Sequence, residues 1–316
     1  MISAKVLQHS MCAVTRKPIV TLECEYPRFI HSEIMTHRVF SRNGASSRAI
    51  PVNAVVDHVN EFPAIPVYWG LKNKGMQAVE GHPEPSKCEA SWLKLRDLVS
   101  NHVKEEFFDK LGLHKQIANR PLEAFQTYKL VVTSTEWDNF FWLRDDEDAQ
   151  PEIRELAVRI QEAIKDSSPL SIYADEYHVP YVDRVRDSKG VLKYLDPESK
   201  EELDYKDALA LSASCCAQVS YRKLDTSLEK AIDLNKSFLE SKKIHASVFE
   251  HQARPMEFPY VPEEADIEKL HDILTISGYT HLNKDGEFCS NNFIGWVQHR
   301  SLINNNYIKE LPNDSD

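Results

Sequence analysis

The chain has 316 residues, of which 42% are hydrophobic and 28% charged, and a formal net charge of -11. This acidic balance excludes general nucleic-acid binding, which needs a broad basic face, but it leaves room for a focused basic pocket that takes a small anion. No apolar run approaches a membrane span, and length and composition predict a soluble globular protein with ample core.

Residues 17–24 (KPIVTLEC) alternate and are β-branched, which predicts a strand with Val20, Leu22 and Cys24 on one face and Ile19, Thr21 and Glu23 on the other. After Pro27, Phe29, Ile30, Ile34 and Met35 fall at helical spacing, with His37 and Arg38 at the C-terminal end, where cations are favoured in any case. Residues 35–51 (MTHRVFSRNGASSRAIP) follow as a loop. From Ile34 to Val56 there is no Asp or Glu, yet His37, Arg38, Arg42 and Arg48 are present, so this stretch reverses the sign of the protein locally. Guanidinium forks interleaved with Ser41, Asn43, Ser46 and Ser47 suit a phosphate, and Gly44 lets the backbone approach a ligand. The plainer reading is a solvated basic loop.

Residues 57–90 mix Pro, Gly, Tyr68 and Trp69 and read as an ordered loop or lid, its aromatics either anchoring it or stacking on a flat ring. From Ser91, the residues Leu95, Leu98, Val99, Val103, Phe107 and Phe108 predict an amphipathic helix that Gly112 ends. A second helical block starts near Thr135 and Asp138 and carries Trp137, Phe140, Phe141 and Leu143. Pro151 opens the next helix, whose stripe Ile153, Leu156, Ala157, Ile160 and Ile164 is core. Residues 167–207 carry no clear period. Leu228, Ala231, Ile232, Asn235, Phe238 and Leu239 mark a further helix, leading into KKIHASVFEHQARP. A single domain over 1–310 is expected, with 311–316 as an acidic tail.

Six cysteines form no C-x-x-C pair, which argues against a zinc ribbon or redox motif and for reduced thiols in a cytoplasmic protein. His31 and His37, six apart, do not share a helical face, and no carboxylate triad accompanies them, so no metal site is expected.

Three stretches carry a family resemblance. T-H-R-V-F-S-R-N-G-A-S-S-R (36–48) resembles the R-H-R, seven residues, S signature of the flavin-dependent thymidylate synthases, with its inner S-x-N-E-x-S-x-R. NFFWLRDDEDAQPEIRELA (139–157) resembles that family's N-F-x-x-L-R-x-x-x-x-A-Q-x-E-I block. SASCCAQVSYRKLD (212–225), a helix and HASVFEH (245–251) resemble a segment that in the family precedes the strand and the basic loop. Here it follows them, and the simplest account is circular permutation, which adjacent surface termini tolerate. That account predicts that 245–251 lie beside strand 19–24 and loop 37–48. Departures are Thr36 for an arginine, Gly44 for a glutamate, Ala49 for a common tyrosine, Thr133 and Thr135 where Asn and Arg are frequent, and Asp148 for a histidine.

The resemblance implies an α+β fold with a mixed sheet and long helices, a homotetramer with active sites at subunit interfaces, and reductive methylation of dUMP at C5. Methylenetetrahydrofolate would give the carbon, FAD the redox relay and NADPH the electrons. The absence of a Pro-Cys pair fits this route, which needs no cysteine nucleophile. By position, Arg144 would stabilise the ionised pyrimidine. Arg38, Ser46, Ser47 and Arg48 would hold the nucleotide and its phosphate, with Arg120 in ANRPLE as a further phosphate ligand. His37, Arg38, Ser41, Asn43, Asn139 and His251 would position the flavin. The plainer readings are an ion-pair partner of the DDED acids for Arg144 and a satisfied structural imidazole for His251. Two other functions stay open: a sister enzyme that hydroxymethylates C5 or acts on dCMP, and a non-catalytic nucleotide- or flavin-binding relative.

Overall fold

A computed structural model describes residues 2–220, 224–240, 244–257 and 266–306. Its centre is an antiparallel strand pair, β1 (Ser3–Cys12) and β2 (Pro18–Pro27), joined by a turn with Arg16 at φ 61. The expected strand is β2, and its period of two divides the interior as predicted. Val20, Leu22, Cys24 and Tyr26 enter one buried cluster, while Ile19 enters another and Thr21 bonds His178 on that second side. β1 escapes a sequence reading because two of its buried positions are the polar Gln8 and Ser10.

A 3-10 turn (Arg28–Ile30) and the short helix α1 (His31–Ile34) bury Ile30 and Ile34 and deliver the basic stretch. That stretch is not all loop. Its middle is strand β3 (Ser41–Gly44), antiparallel to β4 (Thr127–Ser134) at the sheet edge. The expected lid is shorter than 57–90, because helix α2 (Val52–Glu61) overlaps its start and helix α3 (Pro85–His102) takes its end, with Pro85 in the first turn. Four valines, Val52, Val55, Val56 and Val59, form the buried stripe of α2, and such β-branched residues are weak helix signals. α3 runs on as a π-type helix (Val103–Lys110) and stops before Gly112 at φ 60, as that glycine predicts. Trp92 of α3 anchors the lid: Trp69 meets it edge-on at 6.1 Å, and its indole N–H donates to the Ala64 carbonyl.

The chain reaches β4 through the short helix α4 (Lys115–Ala118) and a 3-10 turn (Arg120–Phe125). Helices α5 (Asp138–Arg144) and α6 (Pro151–Lys165) then cover the first sheet face, with the predicted stripe of α6 in the core. Thr135 does not cap α5: its Oγ1 accepts from the Ile294 N–H at 3.1 Å. β5 (Leu170–Ile172) adds in parallel to β1 and completes a mixed sheet of order β3-β4-β2-β1-β5.

Residues 167–207 hold a small meander of β6 (Asp183–Arg186), β7 (Leu192–Leu195) and β8 (Glu202–Leu203). Helices α7 (Tyr205–Ala217) and α8 (Leu228–Glu240) lie against one another, and α7 joins the core of the second face. α7 shows no clear stripe because small residues bury it nearly all round. The remainder is β9 (Ala253–Pro255), α9 (Ile267–Ile276), β10 (His281–Leu282), β11 (Phe288–Ser290), β12 (Phe293–Ile294) and β13 (Trp296–Gln298), with β13 pairing to β9. The fold is mixed α+β, and among the described residues no helix is long and apolar enough to cross a membrane. Tyr221 of the third stretch and the acidic end 311–316 lie outside the described residues.

Candidate functional site

The first two motif stretches meet at one side chain. α5 ends at Arg144, and its guanidinium turns to the start of the basic stretch rather than to the adjoining acids. Nε donates to His37 Nε2 at 3.0 Å, Nη1 to Glu33 at 3.2 Å and Nη2 to Thr36 Oγ1 at 3.2 Å. His37 is buried between Phe40 and Phe140, at ring separations of 5.7 and 4.9 Å. Burial first, then the charges of Arg144 and Arg42, lower its pKa to about 4, so at neutral pH it is an uncharged acceptor for Arg144. Arg42 is a structural clamp whose Nη1 donates to the carbonyls of Ile34 and His37.

From there the candidates run along edge strand β3. Ser41 is buried and bonded to Asn292 and Gln298 of the C-terminal segment, so its hydroxyl is already engaged. Asn43 Nδ2 donates to the Cys216 carbonyl at 3.2 Å, and the Ser46 N–H donates to Ser220 Oγ at 2.7 Å. These two bonds join the basic stretch to the third motif stretch. Beside them is a cavity of about 350 Å³ lined by Asn43, Gly44, Ser46, Ser220, His245 and Ser247, among others. Gly44 answers a different need from ligand approach: a Cβ there would lie 2.0 Å from the Tyr128 hydroxyl. Ser47 is buried and donates to Glu123, which also pairs with Arg120 at 2.8 Å, so Arg120 is drawn to the far end of the stretch. Arg38, Arg48 and Asn139 are exposed, and none of their side chains makes an ion pair or hydrogen bond among the described residues.

His251 lies fully buried behind the sheet, its Nδ1 2.8 Å from Thr133 Oγ1. Thr133 is opposite Thr21 in β2 and Ser41 in β3, so residues 245–251 do flank the strand and the basic stretch. Burial lowers the His251 pKa to about 3, and its Nε2 is buried without a partner. The Arg144 cluster, the Asn43–Ser46 cavity and His251 thus occupy separate positions along β3 rather than one closed pocket. The sequence reading missed Glu33, Thr21, Asn292 and Gln298. Only the motif-like proximity of Glu33 to His37 carried a signal, since the others depend on contacts more than a hundred positions apart.

A larger cleft of about 1270 Å³ lies between the lid and α5–α6, with Tyr68, Met76 and Arg144 in its wall. Glu33, Asp145, Glu147, Asp148, Glu152 and Glu155 make it acidic, which disfavours a phosphate there. The smaller cavity has the neutral amide and hydroxyl groups that a flat polar ring requires, and it is roomy enough for one ring system. The unpartnered His251 Nε2 is a second group in want of a ligand atom. The groups of the cavity fit a flavin ring, while His251, fully buried and outside the cavity lining, offers a separate unpartnered nitrogen.

A family model described as thymidylate synthase complementing protein matches residues 2–170, a range that holds the first two motif stretches and leaves out 212–251. The flavin-dependent thymidylate synthase of Aquifex aeolicus (strain VF5) is 34% identical over 149 residues, which cover 46% of this chain and 44% of that protein. The chain therefore spans less than half the length of this curated relative. Among solved structures, the UMP/dUMP methylase PolB from Streptomyces cacaoi bound with 5-Br UMP matches over 52% of this chain and 89% of its own, at 17% identity and TM-score 0.43. The same methylase bound with 5-Br dUMP matches over 46% and 66%, at 19% identity and TM-score 0.38.

Proposed function

The chain belongs to the thymidylate synthase complementing protein family, and on that premise we propose that it is a flavin-dependent enzyme that methylates C5 of dUMP. The observation that carries this reading is the bond from Arg144 to His37, which unites two motif stretches 107 positions apart. Methylenetetrahydrofolate supplies the one-carbon unit and NADPH the electrons. FAD, when bound, supplies the hydride chemistry that turns the transferred carbon into a methyl group.

The chain's own part is orientation and electrostatics. Arg144, fixed on three sides by Glu33, Thr36 and His37, places positive charge where a uracil ring becomes an anion as C5 turns nucleophilic. Neutral His37 accepts from Arg144 Nε and adds no charge of its own. Arg38 and Arg48, without competing carboxylates, hold nucleotide and cofactor phosphates, with Ser46, Ser47 and Arg120 completing the far end of the stretch. The resemblance gives Asn43, Asn139, Ser41, His37 and His251 to the flavin, and of these Asn43 lines the cavity.

The segment order is that of a circularly permuted family member. Supporting it are the Asn43–Cys216 and Ser46–Ser220 bonds and the contact of His251 with Thr133, which bring the displaced segment against the basic stretch. The exposure of Arg38, Arg48, Asn139 and Trp142 supports a homotetramer in which a neighbouring subunit completes each site.

The visible spectrum of the purified protein, before and after dUMP, tests the reading, followed by release of the C5 proton with all co-substrates present. A flavin spectrum that shifts with dUMP, and proton release, support it. No flavin even after reconstitution with FAD would sink it. Gly44 and Thr36 favour a sister enzyme on another pyrimidine nucleotide; with dUMP and dCMP offered together, the product mass decides. Binding of dUMP without proton release indicates a relative that has lost turnover.

A further inference from the structure

Behind β3 a line of polar side chains crosses the sheet and ends at His251. Arg184 Nη1 donates to Ser10 Oγ at 2.9 Å, and Ser10 Oγ lies 2.7 Å from His178 Nδ1. His178 Nε2 is 2.8 Å from Thr21 Oγ1, Thr21 Oγ1 is 2.6 Å from Thr133 Oγ1, and Thr133 Oγ1 is 2.8 Å from His251 Nδ1. From Ser10 to His251 every member is fully buried. Thr21 and Thr133 are directly opposite in the β2–β4 register, where two valines would fill the same space without polar atoms. The line therefore does more than pack.

Its direction follows from counting protons. A guanidinium only donates, so Ser10 must accept from Arg184. Ser10 has one proton of its own, and the one remaining acceptor beside it is His178 Nδ1. If His178 donated to Ser10 instead, that buried hydroxyl proton would be stranded, which is costly. With Nδ1 accepting, the proton of neutral His178 is on Nε2 and goes to Thr21. Thr21 then donates to Thr133, and Thr133 to His251 Nδ1. His178 is held neutral by burial and by the nearby Arg184 charge, and His251 by burial, so neither is doubly protonated. His251 Nε2 carries a proton, and of the four imidazole nitrogens of the line it is the one without a partner.

We infer that Arg184, Ser10, His178, Thr21 and Thr133 are positioning residues that fix His251 in its Nε2-protonated tautomer, so that it presents a hydrogen-bond donor to an acceptor atom of the bound flavin. The ligand half of this statement rests on the proposed function; the tautomer half does not. Arg184 sets the direction, because it is the one member that cannot accept.

The test is nitrogen NMR of the full chain labelled with 15N-histidine, at neutral pH and without flavin, with the His251 signals identified by their loss in His251→Asn. The wild-type protein should show His178 and His251 both protonated at Nε2. Thr133→Val should mix the His251 tautomers, Thr133→Ser should restore the single form, and Arg184→Met should mix both imidazoles. A wild-type His251 protonated at Nδ1 overturns the inference without any variant having to fold. So does a His251 tautomer that ignores both Thr133→Val and Arg184→Met. With FAD added, Thr133→Val should weaken binding about tenfold and Thr133→Ser hardly at all. If wild-type protein binds no FAD, the functional reading fails while the tautomer result stands, so the two failures are separable.

Discussion

Gly44→Ala is the substitution whose effect the structure specifies most closely. The new Cβ would stand 2.0 Å from the Tyr128 hydroxyl oxygen and 2.6 and 2.7 Å from the ring carbons Cζ and Cε1. The ring has little room to retreat, because Tyr26 and His31 pack against it in tilted contacts at 5.8 and 4.2 Å and the Arg28 guanidinium lies over it at 5.0 Å. Overpacking of this kind costs about 1–3 kcal/mol, against which the stiffer unfolded chain returns about half a kcal/mol. For a chain of this size that is a fall in Tm of about 1–4 °C. Urea unfolding of four proteins checks it: wild type, Gly44→Ala, Tyr128→Ala and the double variant. In the Tyr128→Ala background the added methyl should cost under about 0.5 kcal/mol. Tyr128→Phe should rescue only in part, since it removes the atom at 2.0 Å but leaves the carbon at 2.6 Å. Gly44→Ala as stable as wild type, or equally costly in both backgrounds, would refute the reasoning.

Arg144→Met removes the second-largest cause of the low His37 pKa, so His37 should titrate between about 4 and 6.5, still depressed by burial, in an NMR pH series. Turnover should fall about 10²–10³-fold, and Arg144→Lys should rescue poorly because a point charge does not hold Glu33, Thr36 and His37 together. An unmoved His37 titration would contradict the contact. Buried His178, His251 and His299 all have depressed values, so the unfolded chain binds their protons more readily than the folded one. Their stabilisation is complete above about pH 6.5 and is lost as pH falls through the folded values, about 4 for His299, about 3 for His251 and lower than usual for His178, each contributing about 1.4 kcal/mol per pH unit in that window. Urea midpoints that stay flat from pH 6.5 to 4.5 would exclude this. Of the six cysteines, only Cys88 is not buried, and burial raises the thiol pKa of Cys215 to about 12 and that of Cys216 well above its usual value. Native protein should release one fast equivalent with an aromatic disulfide reagent, and none in Cys88→Ser.

Legibility in the sequence followed the kind of signal each element carries. β2, α6 and α8 were readable because their apolar residues keep a period of 2 or 3.6. β1 was not, since Gln8 and Ser10 are buried by hydrogen bonding rather than by hydrophobicity: Gln8 accepts from the Val179 N–H, and Ser10 bonds His178. α7 was missed because Ala, Ser and Cys bury every face of it and leave no stripe. At the site, the motif frame found Arg144, His37, Asn43 and Ser46, which the fold does connect to motif neighbours. It did not find Asn292 and Gln298, because what they bind, Ser41, is some 250 positions away and no local pattern announces such a contact.

The positions that depart from the resembled signature are where this chain makes contacts of its own. Thr36 replaces an arginine, and its hydroxyl accepts from Arg144 while donating to the Glu33 carbonyl. An arginine there would set a third guanidinium beside Arg144 and Arg38 with one carboxylate among them. With threonine, Glu33 pairs with Arg144 alone, and Arg38 and Arg48 have no ion-pair partner among the described residues. Gly44 replaces a glutamate and admits the Tyr128 ring, so a carboxylate acceptor beside Asn43 is lost. Thr133 stands where asparagine is frequent, and it carries the line from Thr21 to His251. Each change removes a charge or an amide and supplies a hydroxyl or an aromatic face in the same space. These three positions, rather than Arg144 and His37, are therefore where the contacts of this chain depart from the resembled signature, each through a different neighbour: Arg144 for Thr36, Tyr128 for Gly44 and His251 for Thr133.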